Sequence, residues 1–118
     1  MREITDAQAM SLIGEKELPE QIINSGSLVA VILTQDWCPQ WLFMKKWLHQ
    51  MEDEGITVYY LAYNKKEYFR EFMAVKESEF QNDLIPYIRY YVNGSFVGDS
   101  NYVSRELFLS RFRAGVAL

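Results

Sequence analysis

Residues 27–41 read Ser-Leu-Val-Ala-Val-Ile-Leu-Thr-Gln-Asp-Trp-Cys-Pro-Gln-Trp, and they hold Cys38, the only cysteine in the 118-residue sequence. Residues 27–34 form a continuous apolar run rich in β-branched side chains, which is typical of a strand buried on both faces. After the cysteine, apolar residues recur at helical spacing: Trp41, Met44, Leu48 and Met51. The stretch therefore predicts a strand, a short loop and a helix, with one thiol at the start of the helix.

The position of Cys38 at a predicted helix start suggests a chemical role. Backbone N–H groups in the first helical turn lack partners within the helix, and the positive end of the helix dipole lies there. Both effects favour a thiolate. The alternative is that Cys38 is a small buried hydrophobic residue, which is the usual role of a lone cysteine. Trp37 before it and the helix start after it favour a reactive, partly exposed thiol.

Trp37 and Cys38, at a junction between a strand, a loop and a helix, resemble the active site of the thioredoxin-like family, whose motif is Trp-Cys-x-x-Cys. Cys38 matches the attacking cysteine of that family. The sequence here is Trp-Cys-Pro-Gln-Trp, so Trp41 stands in place of the second, resolving cysteine. We expect Trp41 to fill core volume, because its helical phase matches the apolar positions that follow it. The alternative is that its bulk covers the sulfur of Cys38 and prevents its reaction.

Two further stretches agree with this resemblance in order and spacing. Ile85-Pro86 is similar to the Ile-Pro step that is cis in thioredoxin-like proteins and packs against the active-site cysteine. Asn93-Gly94 lies between two strand-like runs, which is a strong hairpin signal. Together the matches cover about residues 28–112. They imply a single α/β domain over residues 1–118 with the thioredoxin fold, a central mixed β-sheet flanked by helices.

The patterns along the rest of the chain predict the element order β-α-β-α-β-β-α. A short edge strand at 2–5 and either one bent helix or two short helices within 6–25 precede the first strand of that order. Thr5 or Asp6 is the predicted helix cap, with Gln8 as the capping-box partner of Thr5. Strands are predicted at 27–34, 56–63, 88–92 and 95–98, and helices at 39–54, 65–79 and 104–112.

The missing second thiol limits the chemistry that the resemblance implies. A dithiol enzyme clears its mixed disulfide with the second cysteine, by the same exchange chemistry that formed it. The resemblance also places Ile32 and Tyr60 where thioredoxin has a buried aspartate and a nearby lysine that assist proton transfer. A self-contained dithiol reductase is therefore excluded. Monothiol chemistry in cell redox homeostasis remains possible: thiol-disulfide exchange, glutathionylation or deglutathionylation. Cys38 would be the catalytic residue, and an external thiol would complete the cycle.

Glutathione is the co-substrate that this monothiol hypothesis suggests. Cys38-Pro39 matches the start of the glutaredoxin motif Cys-Pro-x-Cys, and residues 97–100 are similar to the Val-Gly-Gly-x stretch before the last glutaredoxin helix. The glutaredoxin loop that binds glutathione usually carries a further acidic residue, where this sequence has Asn101-Tyr102. Whether the protein is an enzyme is left open.

The alternative function is a redox-inactive thioredoxin-fold module that binds a protein or peptide. Trp37, Leu42, Phe43 and Tyr87 would then form an apolar patch around Cys38 and the proline step, where an extended peptide could add by strand pairing. Equally, Leu42 and Phe43 could contact the helix predicted at 65–79. The candidate substrate-binding residues for either function are Trp37, Pro39, Gln40, Trp41, Ile85 and Pro86.

The composition of the chain limits which partners and cofactors the protein could have. A formal net charge of −4 without a basic run argues against a nucleic-acid partner. No apolar run reaches the length of a membrane span. One cysteine and one histidine are too few for a zinc or iron–sulfur site, so we expect no metal and no bound cofactor. We expect a cytoplasmic monomer whose partners are protein or peptide thiols and disulfides, or glutathione.

Overall fold

A mixed five-stranded sheet forms the centre of the structure, a computed structural model that describes residues 1–115. The strand order is β1-β3-β2-β4-β5. Strands β1, β2 and β3 are parallel to one another, β4 is antiparallel to β2, and β5 is antiparallel to β4. Two short 3₁₀ turns, Met51–Glu54 and Phe112–Gly115, accompany the regular elements. The strands are β1 (Arg2–Glu3), β2 (Leu28–Thr34), β3 (Ile56–Ala62), β4 (Tyr87–Val92) and β5 (Ser95–Ser100), and the helices are α1 (Asp6–Glu15), α2 (Glu20–Ile23), α3 (Pro39–Leu48), α4 (Phe69–Ser78) and α5 (Arg105–Arg111).

Strand β2 has neighbours on both sides, which explains its continuous apolar sequence. It pairs with β3 over its whole length and with β4 over residues 28–33. Val29 through Thr34 are all buried. Because both faces of β2 are covered, its side chains need not alternate between apolar and polar.

Helices cover the two faces of the sheet in separate groups. One core cluster contains Val29, Val31 and Leu33 of β2 with buried residues of α1, α2 and α4. The other contains Ala30 and Ile32 with buried residues of α3 and α5. Successive β2 side chains thus enter alternate clusters, as the pleat requires. Helices α3 and α4 lie on opposite faces, so the interpretation that Leu42 and Phe43 contact the helix predicted at 65–79 is wrong.

Several predicted boundaries are corrected by the structure. The helix predicted at 65–79 begins only at Phe69, because the chain turns first, with the N–H of Lys66 donating to the Tyr63 carbonyl and that of Phe69 to the Lys66 carbonyl. The helix predicted at 39–54 ends at Leu48 and is followed by a 3₁₀ turn. The acidic residues of that turn, 52–54, are disfavoured at an α-helix C-terminus by the helix dipole.

The N-terminal segment forms two helices rather than one bent helix. The capping box at the start of α1 is confirmed: the Thr5 hydroxyl accepts from the Gln8 N–H, and the Gln8 side chain accepts from the Thr5 N–H. Helix α1 ends at Glu15, and its C-cap residue Lys16 has a φ of 62°. Pro19 then caps α2. None of the helices described within residues 1–115 combines the length and the apolarity needed to cross a membrane.

Candidate functional site

Cys38 is the N-cap residue of α3, with Pro39 in the first helical turn. Its N–H donates to the Gln35 carbonyl and its carbonyl accepts from the Leu42 N–H. Its side chain makes no capping hydrogen bond. The residue is only 4% exposed and belongs to the core cluster of α3 and α5. The predicted partial exposure of this thiol is therefore wrong, because the side chain packs inward among apolar groups.

Three side chains on this face of the sheet occupy the positions that the resemblance links to dithiol chemistry. Ile32 of β2 is directly opposite Tyr60 of β3 and is fully buried. The rings of Trp41 and Tyr60 have centroids 5.5 Å apart. Trp41 is 2% exposed, so the prediction that it fills core volume is confirmed. The space beside Cys38 is therefore filled by apolar and aromatic groups rather than by a second thiol, a carboxylate and an ammonium group.

A polar clamp holds the loop that leads to Cys38. Asn64, which follows β3, accepts from the Asp36 N–H at 2.8 Å and donates to the Asp36 carboxylate at 2.9 Å. Lys65 Nζ lies 3.1 Å from the same carboxylate. Hydrogen bonds from Asn64 and Lys65 hold the pKa of Asp36 below its ordinary value. The clamp joins two loops that follow neighbouring parallel strands.

Sequence reasoning missed this clamp. The sequence signal was that Asp36 and Asn64 each lie two residues beyond the end of a strand, and that the two strands are adjacent and parallel, so that their ends meet at one sheet edge. Trp37 follows Asp36, and its indole N–H donates to the Gln35 side chain at 2.7 Å. Its side chain is nevertheless 62% exposed. The loop therefore fixes the backbone of Trp37 while its ring faces solvent.

The Ile85–Pro86 peptide bond is cis and precedes β4. Pro86 is buried, and Ile85 packs partly buried against the core cluster that contains Cys38. Leu84, just before them, is 60% exposed. The structure thus brings the proline step and the thiol to the same side of the sheet, and it adds Leu84, which sequence reasoning missed although it adjoins the proline step.

An amide pair fixes the segment before Pro86. Asn82 and Asn101 exchange reciprocal side-chain hydrogen bonds of 3.0 and 2.9 Å. Asn101 also donates to the Pro86 carbonyl at 3.0 Å, and Asn82 accepts from the Leu84 N–H. The amide of Asn101 is therefore engaged within the fold on both its oxygen and its nitrogen.

Exposed side chains follow the buried thiol along α3. Pro39 and Gln40 are exposed, as are Leu42 and Phe43. A shallow groove of about 200 Å³ on α3, called here the α3 groove, is lined by Pro39, Leu42, Phe43 and Lys46. Of the predicted site residues, Trp37, Pro39 and Gln40 lie on the surface, whereas Cys38, Trp41 and Pro86 are buried.

Tyr87 does not belong to the predicted apolar patch. It is fully buried and lies in the core cluster on the other face of the sheet. The reason is the alternation of side chains along β4, in which Ile88 takes the face of Cys38 and Tyr87 the opposite one. Within residues 1–115, no group of three or more His, Cys, Asp or Glu side chains is placed to hold a metal ion.

Solved structures of other proteins share this architecture, although sequence comparisons find no relative. No protein-family model matches the sequence, and a sequence search of curated proteins finds no significant relative. Among solved structures, the long form of thioredoxin F from spinach chloroplast superposes with a TM-score of 0.63 at 13% identity, over 96% of this chain and 84% of that one. An N21Q mutant thioredoxin from Halobacterium salinarum gives a TM-score of 0.65 at 10% identity, over 84% and 83% of the two chains.

A glutaredoxin is also similar in structure. The buckwheat glutaredoxin–glutathione complex superposes with a TM-score of 0.55 at 16% identity, over 94% of this chain and 96% of that one. With the mixed five-stranded sheet and its flanking helices, these likenesses define the class: the chain has the thioredoxin fold. It is a thioredoxin-like protein in fold, and its single cysteine, Cys38, is the N-cap residue of α3.

Proposed function

We propose that the protein is a redox-silent thioredoxin-fold module that binds a segment of a protein partner on the surface beside Cys38. The observation that carries this proposal is a buried thiol beside exposed apolar side chains: Cys38 is 4% exposed, whereas Trp37 is 62% and Phe43 61% exposed. A catalytic thiol must be reached by a disulfide, while a contact surface needs apolar groups in solvent.

The surroundings of Cys38 support the absence of catalysis. Cys38 lies in a core cluster with the apolar side chains of Ile32, Trp41 and Met44. The helix N–H groups make no hydrogen bond with its sulfur. Ile32 and Tyr60 offer no carboxylate or ammonium group for proton transfer.

The hydrogen bonds of the Asn101 side chain disfavour glutathione as a co-substrate. A loop that binds glutathione must present free polar groups, and the Asn101 amide is already bonded to Asn82 and to the Pro86 carbonyl. The partner that we propose is therefore a protein or peptide, and no cofactor or metal takes part. We place this function in the cytoplasm, on the grounds of the lone cysteine.

Monothiol exchange is the second candidate, and one observation favours it. Cys38 caps α3 and shares a core cluster with Ile85, beside the cis Ile85–Pro86 bond. In that reaction the Cys38 thiolate attacks a substrate disulfide, the old S–S bond breaks, and one substrate thiolate leaves as the mixed disulfide forms. An external thiol then attacks the mixed disulfide and releases reduced Cys38.

Thiol reactivity separates these two functions. The folded protein is treated with iodoacetamide from about pH 6 to about pH 10, and separately with oxidised glutathione, and adducts are read by intact mass. We expect alkylation of folded Cys38 to be roughly 100-fold slower than in urea-unfolded protein, since the sulfur reacts only after local opening. Rapid alkylation with a midpoint below about pH 8.5 and a glutathione adduct that added thiol removes would instead support monothiol exchange.

Peptide selection tests the binding function itself. A displayed library of random peptides of about 12 residues is selected on the wild-type protein, and the affinities of selected peptides are measured by fluorescence anisotropy. We expect selected peptides to bind wild type and Met10→Ser but not Phe43→Ser, because Met10 is an equally exposed apolar residue on α1, on the other face of the sheet. A library that yields no binder, or binders indifferent to Phe43→Ser, contradicts the proposal.

A further inference from the structure

The apolar side chains of the α3 groove do not pack in the core of the protein. The buried residues of α3 are Trp41, Met44 and Leu48, and these hold the helix on the sheet. Leu42 and Phe43 follow Trp41 in the chain and project away from that interface, with 48% and 61% of their surfaces exposed. Side chains of this size contribute to stability mainly when they are buried, so their exposure favours a contact surface over a role in packing.

The two charged residues of α3 are both positive. Helix α3 carries Lys45 and Lys46 and no acidic residue, although the whole chain has a formal net charge of −4. Lys46 Nζ lies 5.2 Å from the centroid of the Phe43 ring, and Lys45 Nζ lies 5.7 Å from a Trp41 ring centroid. Among residues 1–115, neither lysine forms an ion pair with a carboxylate. Their charges are thus available to a partner.

We propose that the α3 groove binds a short acidic segment of a protein partner, with one large apolar side chain in the groove and a carboxylate paired with Lys46. This inference rests on the proposed binding function and names the chemistry of the partner. The groove, about 200 Å³ in volume, matches one large side chain. Charge complementarity at its edge selects acidic partners and speeds their encounter.

An anionic membrane could also pair with Lys46, but the net negative charge of the chain disfavours binding to such a surface. Each lysine near such a surface contributes about 1 kcal/mol to the binding free energy, and α3 offers only two lysines. The chain as a whole has a formal net charge of −4, which an anionic surface repels. The same lysines suffice for one or two carboxylates of a peptide. The proposed occupant is therefore a peptide segment, and a lipid surface is an outcome of the test.

Three matched peptides test the proposal. Each is a fluorescein-labelled peptide of about 12 residues with the same Leu and Phe positions and with Glu, Gln or Lys at all other positions. We expect the Glu peptide to bind about 3-fold to 10-fold more tightly than the Gln peptide in low salt, the Lys peptide to bind most weakly, and the preference to shrink as salt is added.

Charge reversal on the two faces of the sheet supplies the controls. Lys46→Glu should abolish or invert the preference for the Glu peptide. Arg70→Glu makes the same change of charge at an exposed position on α4, on the opposite face, and should leave the preference intact. Phe43→Ser should weaken the binding of all three peptides. Circular dichroism confirms that each variant is folded.

The outcomes distinguish the two proposals. Equal affinities for the Glu and Gln peptides, or a preference that survives Lys46→Glu, overturn the acidic partner while the binding function stands. If neither these peptides nor the library peptides bind, the binding function itself fails. Binding to phosphatidylserine vesicles that Lys46→Glu abolishes would assign the groove to a membrane. Dimerisation in sedimentation velocity that Phe43→Ser abolishes would assign it to a second copy of the chain, and either result overturns the inference.

Discussion

At the scale of single residues, Trp41 decides what Cys38 can do. It lies one helical turn after the thiol, its ring packs 5.5 Å from that of Tyr60, and it is 2% exposed. A cysteine at this place would leave most of that volume empty and could attack a mixed disulfide. The indole instead fills the core beside the sulfur, so one side chain accounts both for missing dithiol chemistry and for packing around the thiol.

We predict that Trp41→Ala lowers the free energy of unfolding by about 3–5 kcal/mol, because a large buried ring is replaced by a cavity. We also expect iodoacetamide to alkylate Cys38 faster in the folded variant than in the wild type. Urea denaturation and alkylation followed by mass report the two effects.

A second tryptophan on α3 provides the control for this prediction. Trp47 is partly buried and packs on Phe108, with ring centroids 5.2 Å apart. Trp47→Ala removes an indole ring as well, but near the C-terminal end of α3, whereas Cys38 lies at the N-terminal end. It should destabilise the protein without a matching rise in Cys38 alkylation under folding conditions. Equal acceleration in both variants would mean that Trp41 acts only through overall stability.

At the scale of elements, Lys76 ties the end of α4 to the segment before β4. Its side chain is fully buried, and Nζ donates to the Asn82 carbonyl at 2.8 Å. Nζ also lies 5.7 Å from the centroid of the Tyr87 ring. Burial disfavours the charged ammonium group and lowers the pKa of Lys76 below its ordinary value of 10.5.

This pKa shift makes a prediction about stability and pH. Between the lowered pKa of Lys76 in the folded state and about 10.5 in the unfolded chain, the unfolded state binds more protons, so the free energy of unfolding rises with pH. Lys76→Met removes that contribution. We therefore expect the wild type to gain stability relative to Lys76→Met as pH rises toward 10, in urea denaturation at several pH values.

Two details sharpen the measurement. Burial raises the pKa of Tyr87 and of Tyr90 to about 12, and these phenols lower stability above about pH 10, so the comparison stays below that pH. Arg70→Met removes an exposed cation from the same helix and should leave the pH profile unchanged. Parallel profiles for the wild type and Lys76→Met would show that burial of Lys76 carries no such free-energy cost.

At the scale of the whole molecule, Arg89 joins segments that are distant in sequence. The residue is nearly buried, and its guanidinium group lies between the rings of Phe80 and Phe96, 3.9 and 4.1 Å from their centroids. It donates to the hydroxyls of Tyr91 and Tyr87 and, at 3.1 Å, to Glu17. One cation thus connects β4 and β5 with the segment after α4 and the connection between α1 and α2.

We predict that Arg89→Met lowers the free energy of unfolding by about 2–4 kcal/mol, because it leaves partly buried acceptors without their donor. Arg105→Met is the matched control, since Arg105 forms an ion pair with Glu54 in which both side chains are partly exposed. That control should cost less than about 1 kcal/mol. Similar losses for the two variants in urea denaturation would contradict a structural role for the Arg89 network.

Local patterns predicted the parts of the fold that depend on near neighbours. The β2 run, the capping box at Thr5 and the hairpin at Asn93-Gly94 all appear in the structure. Asn93 and Gly94 have φ values of 50° and 80°, which suit a tight turn between strands. Such features are decided by backbone preferences and hydrogen bonds within a few residues, so a single sequence reveals them.

Other expectations failed because they depend on contacts between segments that are distant in sequence. The start of α4 at Phe69 was missed, because turns and the Tyr68–Asp6 hydrogen bond occupy the preceding residues. Tyr87 was expected near Cys38, and its place on the opposite face follows from the position of β4 in the sheet. A strand pattern by itself does not say which face of the sheet a given residue joins.

The sequence by itself determined the order of the elements, which follows from apolar periodicity and turn residues, and the absence of a second thiol, since Trp41 stands at its place. The resemblance at Trp37-Cys38 and Ile85-Pro86 implied the thioredoxin fold. Only the tertiary structure decided that Cys38 is buried, that Asn64 clamps the loop before it and that Leu42, Phe43 and Lys46 form a groove. Burial and shape depend on how α3, the sheet and the loops pack together, and those distances between distant segments are not written in any local pattern.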